Sequence, residues 1–172
     1  MRTEFSLTPG DTNVKLISSL EPPDTKYPYQ EAVGALLYLS IISRPDITYQ
    51  VNKSSQFNCC YNEQHWKSVK RIFLKGTIDI GITYSSSPEN LQLIGYCDAD
   101  HAGDLVSRKS TSGFVVTLGD SPVSWSSKLQ KSVALSTTEA EYMAIADCTK
   151  DILWYQQLLK DLKVSITNEN YE

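Results

Sequence analysis

From Ser136 to about Leu162 the sequence reads as one long helix whose apolar stripe begins with an acid. At about 100° per helical residue, Ile145, Cys148, Ile152, Tyr155 and Leu159 fall within about 40° of Glu141, whereas Glu139 and Lys150 point to the opposite side. A stripe of this kind has to pack on another layer. The segment before it supplies one, as three strand-like runs: Leu91 to Asp98, then a polar loop through Lys109, Gly113 to Leu118, a Gly119-Asp120 turn, and Val123 to Ser127. The first run closes on YCDAD, so that Asp98 stands at a strand end, 43 residues before Glu141. A carboxylate on a packing face needs a partner, because an unpaired buried charge is expensive. Either a basic residue or a divalent cation fills that role for Glu141. Taken alone, the two acids read more readily as a strand-end turn acid and a helix-start acid favoured by the helix dipole.

The chain has 172 residues, enough for one ordinary domain or pieces of two, and 41% hydrophobic residues mark it as globular. Its net charge of −4 argues against a generally cationic nucleic-acid binder. Residues 1–90 carry 9 Lys+Arg and 9 Asp+Glu, while residues 91–172 carry 7 and 11, so the acidity surrounds the two acidic motifs. Cys59, Cys60, Cys97 and Cys148 lack zinc-site spacing and the N-terminus lacks a secretory pattern, so four free thiols in a reducing compartment are expected, with Cys97 a small buried strand residue. The longest apolar stretch, Ala32 to Ile42, is far short of the roughly 20 residues needed to cross a bilayer, and no membrane association is expected.

Residues 1–28, rich in Pro, Asp and Thr, read as an extended surface lead-in. Three helices follow: Gln30 to Ser43, apolar nearly all round and expected to be buried; Asp46 to Phe57, with Asp46 as its cap; and Asn62 to Lys75, stopped by Gly76. Gly81 to Tyr84 reads as strand-like, followed by a turn from Ser85 to Pro88. The third helix places Lys67, Lys70, Arg71 and Lys75 on one side and Trp66, Val69, Ile72 and Phe73 on the other, a basic stripe that suits either a solvated face or phosphate tracking. Arg108, Lys109, Lys128 and Lys131 are loop cations that can flank a nucleic acid, with Ser126, Ser127 and Gln130 as further phosphate donors. His65 and His101 read as packing or surface residues.

The blocks YPYQEAVGALLYLSIISRPDI, HWKSVKRIFLKGT, YCDADHAGD, RKSTSGFV and SWSSKLQKSVALSTTEAEY, in that order, resemble the Pol polyprotein of copia-type LTR retrotransposons over nearly the whole chain. The resemblance implies an α/β chain: residues 29–90 similar to the helical thumb and connection of the reverse transcriptase, and residues 91–172 similar to the N-terminal part of a ribonuclease H-like domain, truncated to three antiparallel strands and a long helix. It implies hydrolysis of the RNA strand of an RNA:DNA hybrid, with Asp98 and Glu141 as catalytic metal ligands, Asp100 assisting, and Mg2+ or Mn2+ as cofactor.

The same resemblance puts the third and fourth acids of such a site beyond Glu172, so this chain alone is expected to be inactive, because two carboxylates cannot fix two ions about 4 Å apart. The rest of a reverse transcriptase is the implied partner, and the cytoplasm, within a virus-like particle, or the nucleus is the implied location, without secretion. A noncatalytic relic or a nucleic-acid- or protein-binding module is the alternative of a different class.

Overall fold

The computed structural model describes residues 16–17, 22–72, 81–84 and 91–166. Lys75, Phe73, Gly76, the turn from Ser85 to Pro88 and most of the lead-in lie outside the described residues. The chain divides at Gly81–Ile82 into two compact units, each built around its own contacts.

The first unit holds helices α1 (Tyr29–Ile42), α2 (Thr48–Ser55) and α3 (Glu63–Ile72). Its core gathers Tyr29, Val33, Leu36, Ile47, Val51, Tyr61, Val69 and Ile72. The Tyr29 ring stacks on Tyr61 at 4.6 Å and its hydroxyl donates to the Ser54 carbonyl, while burial pushes that hydroxyl's pKa up to about 12. His65 is a packing residue here, buried against Phe57 with its ring nitrogen 2.8 Å from the Asn62 side chain. Burial holds its pKa below the ordinary histidine range.

Two expectations for this unit are overturned. α1 is not buried all round: only the Tyr29, Val33, Leu36 and Ser40 face is covered, and Tyr38, Ile41 and Ile42 are exposed, because two neighbouring helices can cover only part of a cylinder. Asp46 caps nothing. It sits in a short 3-10 turn, Pro45–Ile47, where its carboxylate is held by the buried Arg44 guanidinium at 2.5 and 2.8 Å, a stronger charge-assisted partner than a helix N–H. At the end of the lead-in, the Tyr27 N–H donates back to the Asp24 carbonyl in a turn, and the Tyr27 ring stacks on Trp66.

The second unit is a three-stranded antiparallel sheet of order β1-β2-β3, formed by β1 (Leu93–Asp100), β2 (Thr111–Leu118) and β3 (Ser121–Leu129), packed against one long helix, α4 (Thr137–Asp161). The antiparallel neighbours and covering helix agree with the sequence reading. Gly119, at φ 61°, supplies the left-handed residue of the β2–β3 turn. Gly81–Tyr84 forms no strand; instead Ser121 donates to the Thr83 carbonyl and Tyr84 donates to the Pro122 carbonyl, so the segment is tied to the start of β3 by side chains.

Ser136 starts α4 as its N-cap: its hydroxyl accepts the Glu139 N–H at 3.1 Å, while the Glu139 carboxylate accepts the Leu135 N–H at 2.6 Å. These two bonds satisfy donors that a helix start would otherwise leave open. The buried face runs through Ala140, Ala144, Cys148 and Leu159, with Asp151, Ile152 and Tyr155 half-buried, so it is turned about 50° from the stripe expected around Glu141. Glu141 lies at its edge, and Ile145, expected inside, is exposed. Small side chains explain the rotation: alanines let the helix approach the sheet, and Gly95 on β1 leaves room for Cys148 and Ile152 to sit directly on the strand.

Candidate carboxylate rim and its flanking cations

Gly95 faces α4, because a Cβ there would lie 2.5 Å from Ile152 Cδ1 and 2.6 Å from Cys148 Sγ. The pairing of β1 with β2 is uninterrupted from Leu93 to Asp100, so strict alternation puts Leu93, Cys97 and Ala99 on the helix face with Gly95. Ile94, Tyr96, Asp98 and Asp100 occupy the other face. Asp98 is exposed, opposite Gly113, and the Asp100 carboxylate folds over Gly103 in the space a Cβ would take.

The level of Glu141 is set by a buried side chain that sequence reasoning misassigned. Gln130, only 6% exposed, donates its amide to Ser112 Oγ at 2.8 Å and to the Ala140 carbonyl at 2.9 Å. Ser112 is the register partner of Ala99. The first turn of α4 is therefore fastened level with the C-terminal end of β1, on the opposite face of the sheet from Asp98 and Asp100. The Gln130 N–H also donates to the Ser110 carbonyl, and the hydroxyl of fully buried Ser110 accepts the Ala102 N–H at 3.0 Å, which anchors the loop leaving Asp100. Gln130 and Ser110 thus join four segments at one end of the sheet. A donor role for Gln130 toward phosphate is excluded, since its amide is spent inside; Ser127 is likewise buried, and Ser126 is half-buried. The sequence signal for this role is slight: a single glutamine just past a strand, before a run leading to a helix cap.

The cations gather at the same end. Thr111 pairs with both Asp100 and Leu129, so Arg108 and Lys109 precede β2 where Lys128 and Lys131 leave β3. Arg108, Lys128 and Lys131 are exposed and Lys109 is half-buried. The Asp104 carboxylate shapes the Asp104–Lys109 turn by accepting the Val106 and Ser107 N–H groups, and the turn closes with Arg108 at φ 57°, a left-handed conformation that costs a non-glycine residue about 1 kcal/mol. In the other unit, Lys67, Lys70 and Arg71 are exposed on α3; Lys67 pairs with Glu63 at 3.0 Å, and the Lys70 ammonium lies 5.8 Å from the Trp66 ring.

Cys97, expected to be buried, is exposed; the remaining thiols are free, with Cys148 buried on α4. Among the described residues no group of three or more His, Cys, Asp and Glu side chains is placed to hold a metal ion. The rim as it stands does not fit a metal held by this chain's side chains alone. Among the described residues no helix is long and apolar enough to cross a membrane.

A fold of this kind, a small helical unit followed by a β-meander under one capped helix with acids at its rim, is accompanied by extensive sequence likeness. The chain is 43% identical over 139 residues to the retrovirus-related Pol polyprotein of transposon TNT 1-94 from Nicotiana tabacum, covering 80% of the chain. It is 41% identical over 165 residues, 94% of the chain, to the corresponding polyprotein of transposon RE2 from Arabidopsis thaliana. In both cases it spans only about a tenth of the relative's length, at 10% and 11%. It is also 43% identical over 129 residues to the secreted RxLR effector protein 161 of Plasmopara viticola, of which it covers 90%. Over most of its own length the chain is homologous to copia-type retrotransposon Pol polyproteins. No family model matches it, and no solved structure matches it.

Proposed function

We propose that the second unit is the N-terminal part of a ribonuclease H-like domain, that the first derives from the end of the reverse transcriptase, and that Asp98 and Glu141, with Asp100 beside them, are this chain's contribution to a site for Mg2+ or Mn2+ completed by acids from outside it. The observation that carries this reading is the fastening of α4's first turn, through Gln130, level with the β1 end that bears both aspartates; because their side chains occupy the sheet face away from α4, the site would lie around the end of the sheet and not between sheet and helix. The chain's own residues present carboxylates at a rim and ring it with Arg108, Lys109, Lys128 and Lys131, where backbone phosphates of an RNA:DNA hybrid would be held. Lys67, Lys70 and Arg71 extend the same electrostatic role on the first unit.

Alone, the chain should cleave a labelled hybrid no faster than buffer in Mg2+ or Mn2+. Joined to the downstream segment of a related Pol polyprotein, it should cut the RNA strand only, and Asp98→Asn should abolish the cutting. Robust cleavage by the chain alone would overturn the incompleteness of the site; absence of cleavage by the joined protein would favour a noncatalytic module.

One observation supports that second reading. A stretch 43% identical to this sequence makes up nearly all of an effector protein, of which the chain covers 90%. A module of that kind would bind a nucleic acid or protein through the rim cations without turnover. It would retain binding when Asp98 and Glu141 are replaced together.

A further inference from the structure

Two thiols from different layers of the second unit share one side of the sheet beneath the rim. Cys148 is 97% buried on α4 and its Sγ lies 2.6 Å from where a Gly95 Cβ would stand. Cys97, two residues further along the same face of β1, is exposed and stands on the face that Cys148 packs against. The glycine is what permits this, since any side chain at Gly95 would lift the helix off the strand. The other thiols, Cys59 and Cys60, belong to the first unit, with their own sulfurs 3.9 Å apart.

We propose that Cys97 and Cys148 form a peroxide-oxidisable dithiol that closes into a disulfide pinning β1 to α4 directly below Asp98. Exposure assigns the order of events. The Cys97 sulfur attacks one oxygen of hydrogen peroxide, the O–O bond breaks, and the leaving hydroxide departs as water with the thiol's proton, giving a sulfenic acid. The Cys148 sulfur then attacks the Cys97 sulfur; the S–S bond forms, the S–O bond breaks, and the hydroxyl leaves as a second water with the Cys148 proton. Two thiols lose two electrons and two protons, and one peroxide becomes two waters.

Burial, with the neighbouring Cys97 and Asp151, raises the Cys148 pKa, which suits a thiol shielded from the oxidant and reacting only with the sulfenic acid beside it. The ring closed by the bond encloses β2 and β3, so the oxidised unit has its sheet and helix locked in register. This inference is independent of any nuclease role.

The test uses the full chain carrying Cys59→Ser and Cys60→Ser, so that only the two thiols remain. Treatment with one equivalent of hydrogen peroxide should remove both free thiols together, lower the intact mass by two hydrogens, and yield, on digestion without reductant, one cross-linked peptide pair containing Cys97 and Cys148. Dithiothreitol should reverse it. Denaturation in urea before oxidation should slow the intramolecular closure about tenfold, because the fold supplies the local concentration. In the Cys148→Ser variant the sulfenic acid at Cys97 should persist and be trapped by dimedone. A stable oxygen adduct on Cys97 with Cys148 present, or disulfides only between chains, would overturn the proposal.

Discussion

Replacing Gln130 should loosen the start of α4 more than any other single change at the rim. The side chain is 6% exposed, donates two hydrogen bonds of 2.8 and 2.9 Å, and leaves its Oε1 without a partner among the described residues. Each neutral hydrogen bond contributes about 1 kcal/mol net, so Gln130→Ala loses about 2 kcal/mol. The vacated volume adds about 1 kcal/mol. Removing the unpaired carbonyl returns about 1 kcal/mol, leaving a net loss of about 2 kcal/mol. Gln130→Met keeps most of the volume and also removes that carbonyl, so it should cost only about 1 kcal/mol. Gln130→Glu sets a carboxylate against the Ala140 carbonyl and should be the worst, at about 3 kcal/mol or more. Amide hydrogen exchange of α4, which reads the second unit alone, gives the free energies. The predicted order of damage is Glu, then Ala, then Met. A tolerated Glu, or an Ala variant with unchanged exchange from Ala140 to Cys148, would refute the assignment of Gln130 as the bridge.

Gly95→Ala forces a methyl to within 2.6 Å of Cys148 Sγ and should destabilise the second unit by about 2 kcal/mol, with Cys148→Ala recovering part of the loss in a double-mutant cycle measured by urea denaturation. Because burial depresses the His65 pKa, the unfolded chain binds a proton at a higher pH than the folded one: the first unit should hold its full stability above about pH 6.5 and lose it as pH falls through the folded value, and His65→Gln should flatten that slope in amide exchange of α3. Arg44 holds the Asp46 pKa below the usual carboxylate range, so Asp46→Asn should cost about 1 kcal/mol at neutral pH and remove a stability loss that the parent shows as pH falls below about 4, read by circular dichroism.

Period-two runs separated by Gly-Asp and by a polar loop were enough to place all three strands and their antiparallel order, because the turn residues and the alternation point to the same answer. The STTE sequence marked the start of α4 through chemistry that is local, the Ser136 and Glu139 capping bonds. What escaped the sequence was set by tertiary packing. The helical stripe was drawn through Ile145 because bulk suggests burial, whereas close approach to Gly95 favoured the Ala140–Ala144–Cys148 line. Gln130 resembled a loop phosphate donor, since residue type cannot reveal that its amide is turned inward. Asp46 looked like a cap from its position before a helix, and lost that role to a guanidinium two residues earlier.

Charge placement allows each unit to be tested separately for a nucleic-acid role. An overall charge of −4 opposes binding to a polyanion, so any affinity must come from local cations acting within about 10 Å, the screening length at 0.1 M salt. Among the described residues two such groups stand out, Arg108, Lys109, Lys128 and Lys131 at the rim and Lys67, Lys70 and Arg71 on α3, and they lie in separate units. Each phosphate contact contributes about 0.9 to the slope of log affinity against log salt on duplex. Lys128→Gln with Lys131→Gln should therefore lower the slope for an RNA:DNA hybrid by about 2, and Lys70→Gln with Arg71→Gln by about 2 if α3 also contacts the hybrid. Fluorescence anisotropy between 50 and 200 mM salt distinguishes the cases. Loss confined to the rim pair would mean that α3 faces solvent, as its Lys67–Glu63 pairing permits; an unchanged slope in both pairs would remove the basis for assigning a nucleic-acid role to either unit.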